Sequence, residues 1–213
     1  MSIPSLTLYQ YWRSSCSWRV RWALDYKGIS YQKVAVNILL NEQFSPEHLV
    51  RSPKGFIPVL KVNNQYLTES LAILEWIEEQ HPKPSLLPND SFSRAQVRKL
   101  SLLITAGIQP LQNMRTLKFY SDDQSRRNEW AKHFIAEGMK NFEAELQNTA
   151  GTYCYSSQLS FADLCLIPQC YNALRFGVAL EQFPIIHRIY HNCLRLESYQ
   201  SSVPENQPDA VKS

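Results

Sequence analysis

The 213-residue chain lacks several features that would assign it to a common functional class. No apolar run approaches the roughly 20 residues that a membrane-spanning helix needs, so we expect no membrane partner. The net charge is only +3, and no dense Lys/Arg block alternates with aromatic residues, so nucleic acid is not an expected partner either. Residues 1–8 carry neither the basic nor the long apolar part of a signal peptide, and we expect a cytoplasmic protein.

Metal-binding and disulfide patterns are also missing. The five cysteines are an odd number without disulfide-like spacing, and no C-x-x-C pair is present, which argues against zinc ribbons and dithiol redox centres. Cys165 and Cys170 lie in an apolar helical stretch and are expected to pack in the core. His187 and His191 share a helix face, but no third ligand is near them in the sequence. We therefore predict no metal site.

The hydrophobic pattern predicts two domains of different class. Residues 1–82 alternate between strand and helix patterns and are expected to form a small α/β domain, with strands at 6–11, 31–36, 57–62 and 66–67 and helices at 15–27 and 70–80. A proline-rich linker follows. Residues 89–213 are expected to be all-helical, with helices at 94–120 (kinked at Gly107 and Pro110), 125–146, 161–176 and 185–196. A capping box at 160–163 begins the third of these, and the polar tail after Ser201 is expected to be loose.

A run of hydroxyls and a thiol lies where the first strand gives way to the first helix. Ser14, Ser15 and Cys16 occupy this position, and the helix is expected to stop at Gly28. The first N–H groups of a helix have no intrahelical partner, and the helix dipole there favours negative charge. A sulfur anion at this place would be stabilised.

Two further motifs in the first domain suit a peptide-like ligand. Pro58 begins a strand, and a cis peptide bond at Ile57–Pro58 would leave the backbone of Ile57 open for pairing with an extended peptide. Ser70 is expected to cap the next helix, whose start can hold a carboxylate, while Glu69 can hold an ammonium group. One helix start for a thiolate and one for an amino acid head group together describe a glutathione site.

These motifs resemble the zeta class of glutathione transferases, which includes maleylacetoacetate isomerases. The resemblance extends over nearly the whole chain in the expected order. It rests on SSCSWRVR at residues 14–21, IP at 57–58, ESLAI at 69–73, GIQPLQN at 107–113, ADLCL at 162–166 and NALRF at 172–176.

The resemblance implies a thioredoxin-like N-terminal domain, an all-α C-terminal domain and a homodimer with glutathione as cofactor. It implies glutathione contacts from Gln43, Ile57, Glu69 and Ser70, with Gln109 and Asn113 contributed by the second domain. The implied reaction is cis–trans isomerisation of maleylacetoacetate to fumarylacetoacetate, a step of aromatic amino acid catabolism. The glutathione thiolate adds to the double bond, rotation follows, and elimination returns glutathione unchanged.

Three residues are candidates for the sulfur chemistry and three for the substrate. Ser14 is the first choice for the hydrogen bond to the thiolate and Ser15 the second, while Cys16 has an auxiliary role. Because the substrate has a carboxylate at each end, we expect arginine anchors, which match carboxylates through two parallel N–H bonds. The candidates are Arg13, Arg115 and Arg175.

Three other functions stay open at this point. The same thiolate would serve a glutathione transferase that dehalogenates α-haloacids and consumes glutathione, or an isomerase of maleylpyruvate. A non-enzymatic interaction module on the same fold is the third alternative.

Overall fold

A computed structural model of the chain describes residues 5–211, which fold into two compact units. The first unit comprises the chain up to Ser85 together with the segment from Leu196 onward, and the second comprises Leu86–Arg195. The predicted second domain continues to residue 213, whereas contacts group the segment after Arg195 with the first unit.

The first unit is built on a four-stranded mixed sheet, which confirms the predicted α/β class. Its strands run in the order β2-β1-β3-β4. The central strand β1 is parallel to β2 and antiparallel to β3, and β3 pairs with β4 as a hairpin. The strand bounds are Leu6–Gln10 (β1), Gln32–Ala35 (β2), Val59–Val62 (β3) and Gln65–Leu67 (β4).

Within the described residues, the sheet-bearing unit has four α-helices: Ser15–Tyr26 (α1), Pro46–Arg51 (α2), Ser70–Gln80 (α3) and Glu197–Ser202 (α10). Helix α1 ends as predicted, because Gly28 adopts φ 64° and allows the N–H of Ile29 to bond back to the carbonyl of Leu24 at 2.9 Å. Trp18 and Trp22 are buried on α1 and pack in the core of this unit.

The prediction of a loose tail after Ser201 is wrong for residues 202–211, and its last two residues lie outside the described part of the chain. Helix α10 packs on α1, where the Tyr199 ring lies 5.7 Å from that of Trp18 and 5.8 Å from that of Trp22. The indole Nε1 of Trp18 donates to Ser202 Oγ at 3.0 Å. A 3-10 helix, Pro204–Asn206, follows α10. The six residues of α10 carry too little apolar periodicity to be recognised, so its order comes from these tertiary contacts.

The second unit is helical, as expected, and residues 86–195, all of which the structure describes, contain no strand. The predicted helix 94–120 is interrupted more strongly than by one kink, since a π-helical stretch occupies Leu103–Ile108 and Asn113 separates two short helices. Within residues 5–211, no helix is long and apolar enough to cross a bilayer. The α-helices of this unit are Ser91–Leu102 (α4), Gln109–Gln112 (α5), Met114–Tyr120 (α6), Gln124–Leu146 (α7), Phe161–Arg175 (α8) and Pro184–Cys193 (α9).

Helix α8 forms the centre of the second unit and begins with the predicted capping box. The carboxylate of Asp163 accepts from the N–H of Ser160 at 2.9 Å and from its hydroxyl at 2.8 Å. The same carboxylate accepts from the N–H of Cys154 at 2.7 Å. Cys165 and Cys170 are fully buried, which confirms their predicted packing role.

Candidate active site at two helix starts

Ser14 is the N-cap residue of α1 and lies directly after β1. Its hydroxyl oxygen accepts from the N–H of Ser17 at 3.2 Å, and its own N–H donates to the carbonyl of Tyr11 at 3.0 Å. A serine hydroxyl has one donor and two acceptor sites. Among residues 5–211 no acceptor for the Ser14 hydroxyl hydrogen is present, so this half-buried group can donate to a ligand.

The first turn of α1 offers further donors to an anion. Its first intrahelical bond runs from the N–H of Trp18 to the carbonyl of Ser14, and the N–H groups of Ser15 and Cys16 precede that bond. The turn contains no acidic side chain. Ser15 and Cys16 are both partly exposed. This start therefore has positive dipole character with no carboxylate of its own to satisfy it.

Arg19 is a site residue that sequence reasoning missed. It is 1% exposed, and its Nη1 donates to Ser70 Oγ at 2.9 Å while lying 3.9 Å from the sulfur of Cys16. One guanidinium thus connects the start of α1 to the start of α3. The spacing of three residues between Cys16 and Arg19 puts both on one helix face and is the signal that could have found it.

The start of α3 differs from its predicted form in one respect. Ser70 was expected to be the N-cap, but Glu69 occupies that position and Ser70 is the first helical residue. Glu69 has φ 66° and ψ 109°, a strained backbone conformation for a residue with a side chain. The Ser70 hydroxyl consequently points to Arg19 rather than back to the helix N–H groups, and the exposed side chain of Glu69 makes no capping bond.

Gln43 lies in the 3-10 helix Glu42–Phe44, before α2, and Ile57 lies in the loop after α2. Gln43 is 7% exposed, and its Oε1 has no hydrogen-bond partner within the described residues. The Ile57–Pro58 peptide bond is cis, whereas position in the sequence left a plain strand entry equally open. Gly55, at φ 65°, lies against the ring of Phe44 so closely that a Cβ at this position would stand 2.7 Å from it. A glycine is therefore required for the loop to pack in this way.

Arg13 is the only one of the three candidate substrate arginines in the first unit. It directly precedes the N-cap Ser14, is partly exposed, and holds its guanidinium 5.4 Å from the centre of the Trp12 ring. The sequence order β1, arginine, serine thus brings a cation beside the start of α1.

The other predicted residues belong to the second unit. Gln109 is the first residue of α5, and Asn113 caps α6 by accepting from the N–H of Arg115 at 3.0 Å. Arg115 is exposed in the first turn of α6. Arg175 ends α8, is exposed, and donates to Asn172 Oδ1 at 3.3 Å.

The two histidines of α9 form a pair without a metal-binding set around it. Nε2 of His187 lies 3.1 Å from Nε2 of His191. In the part of the chain that the structure describes, no group of three His, Cys, Asp or Glu side chains is arranged to hold a metal ion.

Comparison with known proteins identifies the family. The family model described as "Glutathione S-transferase, N-terminal domain" matches residues 4–79, and its C-terminal counterpart matches residues 111–198. A maleylacetoacetate isomerase of Dictyostelium discoideum is 43% identical over 99% of this chain and 98% of its own length. The chain belongs to the glutathione S-transferase family.

Solved structures define the class of this glutathione S-transferase. A maleylacetoacetate isomerase of Anaeromyxobacter dehalogenans with bound glutathione aligns with TM-score 0.91 at 41% identity, over 99% of this chain and 100% of that one. Another structure of that isomerase contains dicarboxyethyl glutathione and citrate. A maleyl pyruvate isomerase, described as a bacterial zeta-class glutathione transferase, aligns with TM-score 0.93 at 34% identity, over 96% of this chain and 100% of that one. The chain is a zeta-class glutathione S-transferase.

The polar groups of the sheet-bearing unit fit glutathione, the cofactor of this family. The start of α1 supplies a hydroxyl donor and N–H groups suited to a sulfur anion. At the start of α3, the Ser70 hydroxyl and the Arg19 guanidinium have the chemistry to bind a carboxylate, and the Glu69 carboxylate has the chemistry to bind an ammonium group. The buried Oε1 of Gln43 needs a donor, such as a peptide N–H, because an unpaired buried acceptor costs free energy.

Proposed function

We propose that this protein catalyses the glutathione-dependent cis–trans isomerisation of maleylacetoacetate to fumarylacetoacetate. The observation that carries the proposal is its likeness, over nearly the whole chain, to proteins named maleylacetoacetate isomerase. The start of α1 supports the chemistry, because it combines a donor hydroxyl with helix N–H groups and lacks a carboxylate.

Glutathione, when bound, supplies a thiolate that can add to an electron-poor double bond and leave again. The task of Ser14 is to keep the sulfur charged. A hydroxyl hydrogen bond and a helix N-terminus both favour the anion and so lower the pKa of a thiol. Ser15 is the second candidate for this donor, and Cys16 contributes its N–H and a soft neighbouring sulfur.

The start of α3 binds the amino acid head group of glutathione in this proposal. Ser70 and the first N–H groups of α3 hold its carboxylate, and Glu69 holds its ammonium group. Arg19 keeps the Ser70 hydroxyl in place through the 2.9 Å bond. Gln43 and the backbone of Ile57 bind the peptide portion, and the family resemblance also assigns glutathione contacts to Gln109 and Asn113.

The substrate is anchored by arginines because it carries two carboxylates. Arg175 is the first candidate, Arg13 the second and Arg115 the third. The Arg175→Ala variant should weaken a dicarboxylate analogue about tenfold or more, as expected for the loss of a charge-assisted bidentate pair, and weaken glutathione far less. Titration calorimetry with each ligand separates the two effects, and Arg126→Ala, a change at another arginine of the second unit, is the matched control. Equal losses for both ligands would remove the anchor role.

Maleylpyruvate is the second candidate substrate, because the maleyl pyruvate isomerase structure aligns with TM-score 0.93. Both diacids would use the same thiolate and the same arginines. The comparison of kcat/KM for the two substrates at one glutathione concentration decides between them.

The test of the proposal is the number of turnovers per glutathione. With a small amount of glutathione and excess maleylacetoacetate, we expect many product molecules for each glutathione and no loss of free thiol. Loss of one thiol per turnover, on this substrate or on an α-haloacid, would indicate a transferase instead. Glutathione binding without any reaction would favour an interaction module.

We further propose that the protein acts as a homodimer, which sedimentation of the purified protein tests directly. The cytoplasmic location expected from the sequence stays a prediction.

A further inference from the structure

The segment 196–210, here called the C-terminal strap, reaches the peptide that leads into the candidate active site. Asp209 accepts at Oδ2 from the N–H of Trp12 at 2.8 Å and at Oδ1 from Nε2 of Gln10 at 3.1 Å. These contacts span 197 and 199 positions of sequence. Trp12 stands two residues before Ser14, so the strap touches the turn that carries the proposed thiolate donor.

A buried arginine holds the same turn from its other side. Arg21 is fully buried, and its Nη2 donates to the carbonyl of Trp12 at 2.9 Å while Nη1 donates to the carbonyl of Tyr11 at 3.4 Å. Its Nε and Nη2 also donate to the carbonyl of Ser202 in the strap, at 3.3 and 3.2 Å. Arg21 therefore joins the strap to the turn.

Both backbone polar groups of Trp12 are thus fixed by charged side chains. Its N–H donates to Asp209 and its carbonyl accepts from Arg21. Gln10 completes the set, since its Oε1 accepts from Arg21 and its Nε2 donates to Asp209. The adjacent carbonyl of Tyr11 accepts from Arg21 and also from the N–H of Ser14. The orientation of the peptide entering Ser14 is set by this network.

We infer that Asp209 is a positioning residue for the reaction: by fixing the N–H of Trp12, it holds Ser14 where its hydroxyl meets the sulfur of glutathione. The inference rests on the proposed function of Ser14. It makes the strap part of the active-site apparatus and not only a cover for α1. The bond to Trp12 involves an ionised acceptor, which makes it stronger than a neutral hydrogen bond.

Other charges near the strap are accounted for by different contacts. Asp25 accepts from the hydroxyl of Tyr31 at 3.1 Å and from that of Ser201 at 3.1 Å, and Lys33 donates to Gln207 Oε1 at 3.0 Å. None of these bonds ends on Trp12, so among the acidic side chains near the strap Asp209 is the one whose loss reports on the turn.

The test compares Asp209→Ala with Asp209→Asn and with Asn206→Ala. Asn206 lies in the same strap and donates to the carbonyl of Gln200 at 2.8 Å, so its loss removes one strap bond without touching Trp12. The readouts are the pKa of the thiol of bound glutathione, followed by thiolate absorbance, and kcat and KM for the isomerisation.

We expect Asp209→Ala to raise the pKa of the bound thiol and to lower kcat roughly tenfold, since small misplacements of reacting groups have effects of this order or larger. The KM for glutathione should stay within about twofold, because the head-group contacts are intact. Asp209→Asn should have a thiol pKa and a kcat between those of Asp209→Ala and the wild type. Its amide oxygen can still accept from the N–H of Trp12, but its NH₂ group cannot accept from Nε2 of Gln10. Asn206→Ala should resemble the wild type.

An unchanged thiol pKa in both Asp209 variants would overturn the inference, and so would an equal shift in Asn206→Ala. If Asp209→Ala does not fold, the Asp209→Asn titration decides alone. Failure of the proposed function is separate: the wild type would then not isomerise maleylacetoacetate, while the titration of bound glutathione would still report on Asp209.

Discussion

The starts of α1 and α8 are built from the same residue type, a serine directly before the first helical turn, yet they serve different purposes. Ser160 is 3% exposed, and its N–H and hydroxyl both donate to Asp163 in the same turn. Ser14 is half-buried, and no acidic residue follows it in the first turn of α1. Its hydroxyl hydrogen has no acceptor among the described residues. A helix start that contains its own anion is structural, whereas one without an anion is available to a ligand.

Removal of the internal anion at α8 should have the largest effect on folding. Asp163→Ala leaves three donors, on Ser160 and Cys154, without their acceptor in a buried place. We expect the free energy of unfolding to fall by about 3 kcal/mol. Urea unfolding followed by circular dichroism measures it. The pKa of thiol bound at α1 should not move, and a shift there would break the proposed division between the two helix starts.

Removal of the hydroxyl donor at the start of α1 should instead lower the catalytic rate strongly and the stability only slightly. Ser14→Ala is expected to lower kcat roughly 100-fold, the order found when one donor to a developing or bound anion is lost. Its cost in stability should stay near 1 kcal/mol, the usual value of an N-cap. Ser14→Thr keeps the hydroxyl and is the matched control. Wild-type turnover in Ser14→Ala would transfer the donor role to Ser15.

The buried anion at the start of α8, Asp163, should make the stability of the protein depend on pH. Burial raises the pKa of the Asp163 carboxyl above its ordinary value of 3.8, although its hydrogen bonds act in the opposite direction. Between 3.8 and the raised pKa the folded protein keeps a proton that the unfolded chain has lost, so this residue contributes less stability as pH rises, by at most about 1.4 kcal/mol for each pH unit.

The measurement for this effect is the difference in unfolding free energy between the wild type and Asp163→Asn over a pH series. We expect the unfolding free energy of the wild type to fall relative to that of Asp163→Asn as the pH rises from 3.8 to the raised pKa of Asp163. A rise in the relative unfolding free energy of the wild type over the same pH range would contradict this expectation. It would mean that the three hydrogen bonds stabilise the carboxylate more than burial destabilises it.

The smallest effect is expected at Cys16. Its sulfur lies 3.9 Å from Nη1 of Arg19, but the N–H groups of the helix start survive in Cys16→Ala. Isomerase kcat should fall only a few-fold, because the nucleophile belongs to the cofactor. Steady-state kinetics and the stoichiometry of thiol labelling check this result. A loss as large as that of Ser14→Ala would make Cys16 a direct participant.

Local signals in the sequence explain most of what could be predicted. The strand-to-helix change before Ser14, the stop at Gly28, the hairpin of β3 and β4, and the capping box of Ser160 each depend on residues close together in the chain. Most residues implied by the family resemblance lie at helix starts or in loops, and Arg19 connects Cys16 of the α1 start to Ser70 of the α3 start.

Long-range and backbone effects account for what was missed. The roles of Arg21 and Asp209 depend on contacts with residues distant in sequence, which no periodicity reveals. The bond of Arg19 to Ser70 is equally distant, although the spacing of Arg19 from Cys16 places both on one helix face. The cap at α3 was assigned to Ser70 because serine is a favoured N-cap, whereas the positive φ of Glu69 moved the helix start by one residue. The tail after Ser201 was expected to be loose because it is polar, whereas hydrogen bonds of Ser202, Gln207 and Asp209 to distant residues order it.

The most direct test of the account is a titration of the thiol of glutathione bound to the wild-type protein. Thiolate absorbance is recorded across pH with protein in excess, and free glutathione serves as the reference. We predict a pKa for the bound thiol clearly below that of free glutathione, because the start of α1 favours the anion. A bound thiol that titrates at or above the free value would contradict the claim that this helix start holds a thiolate.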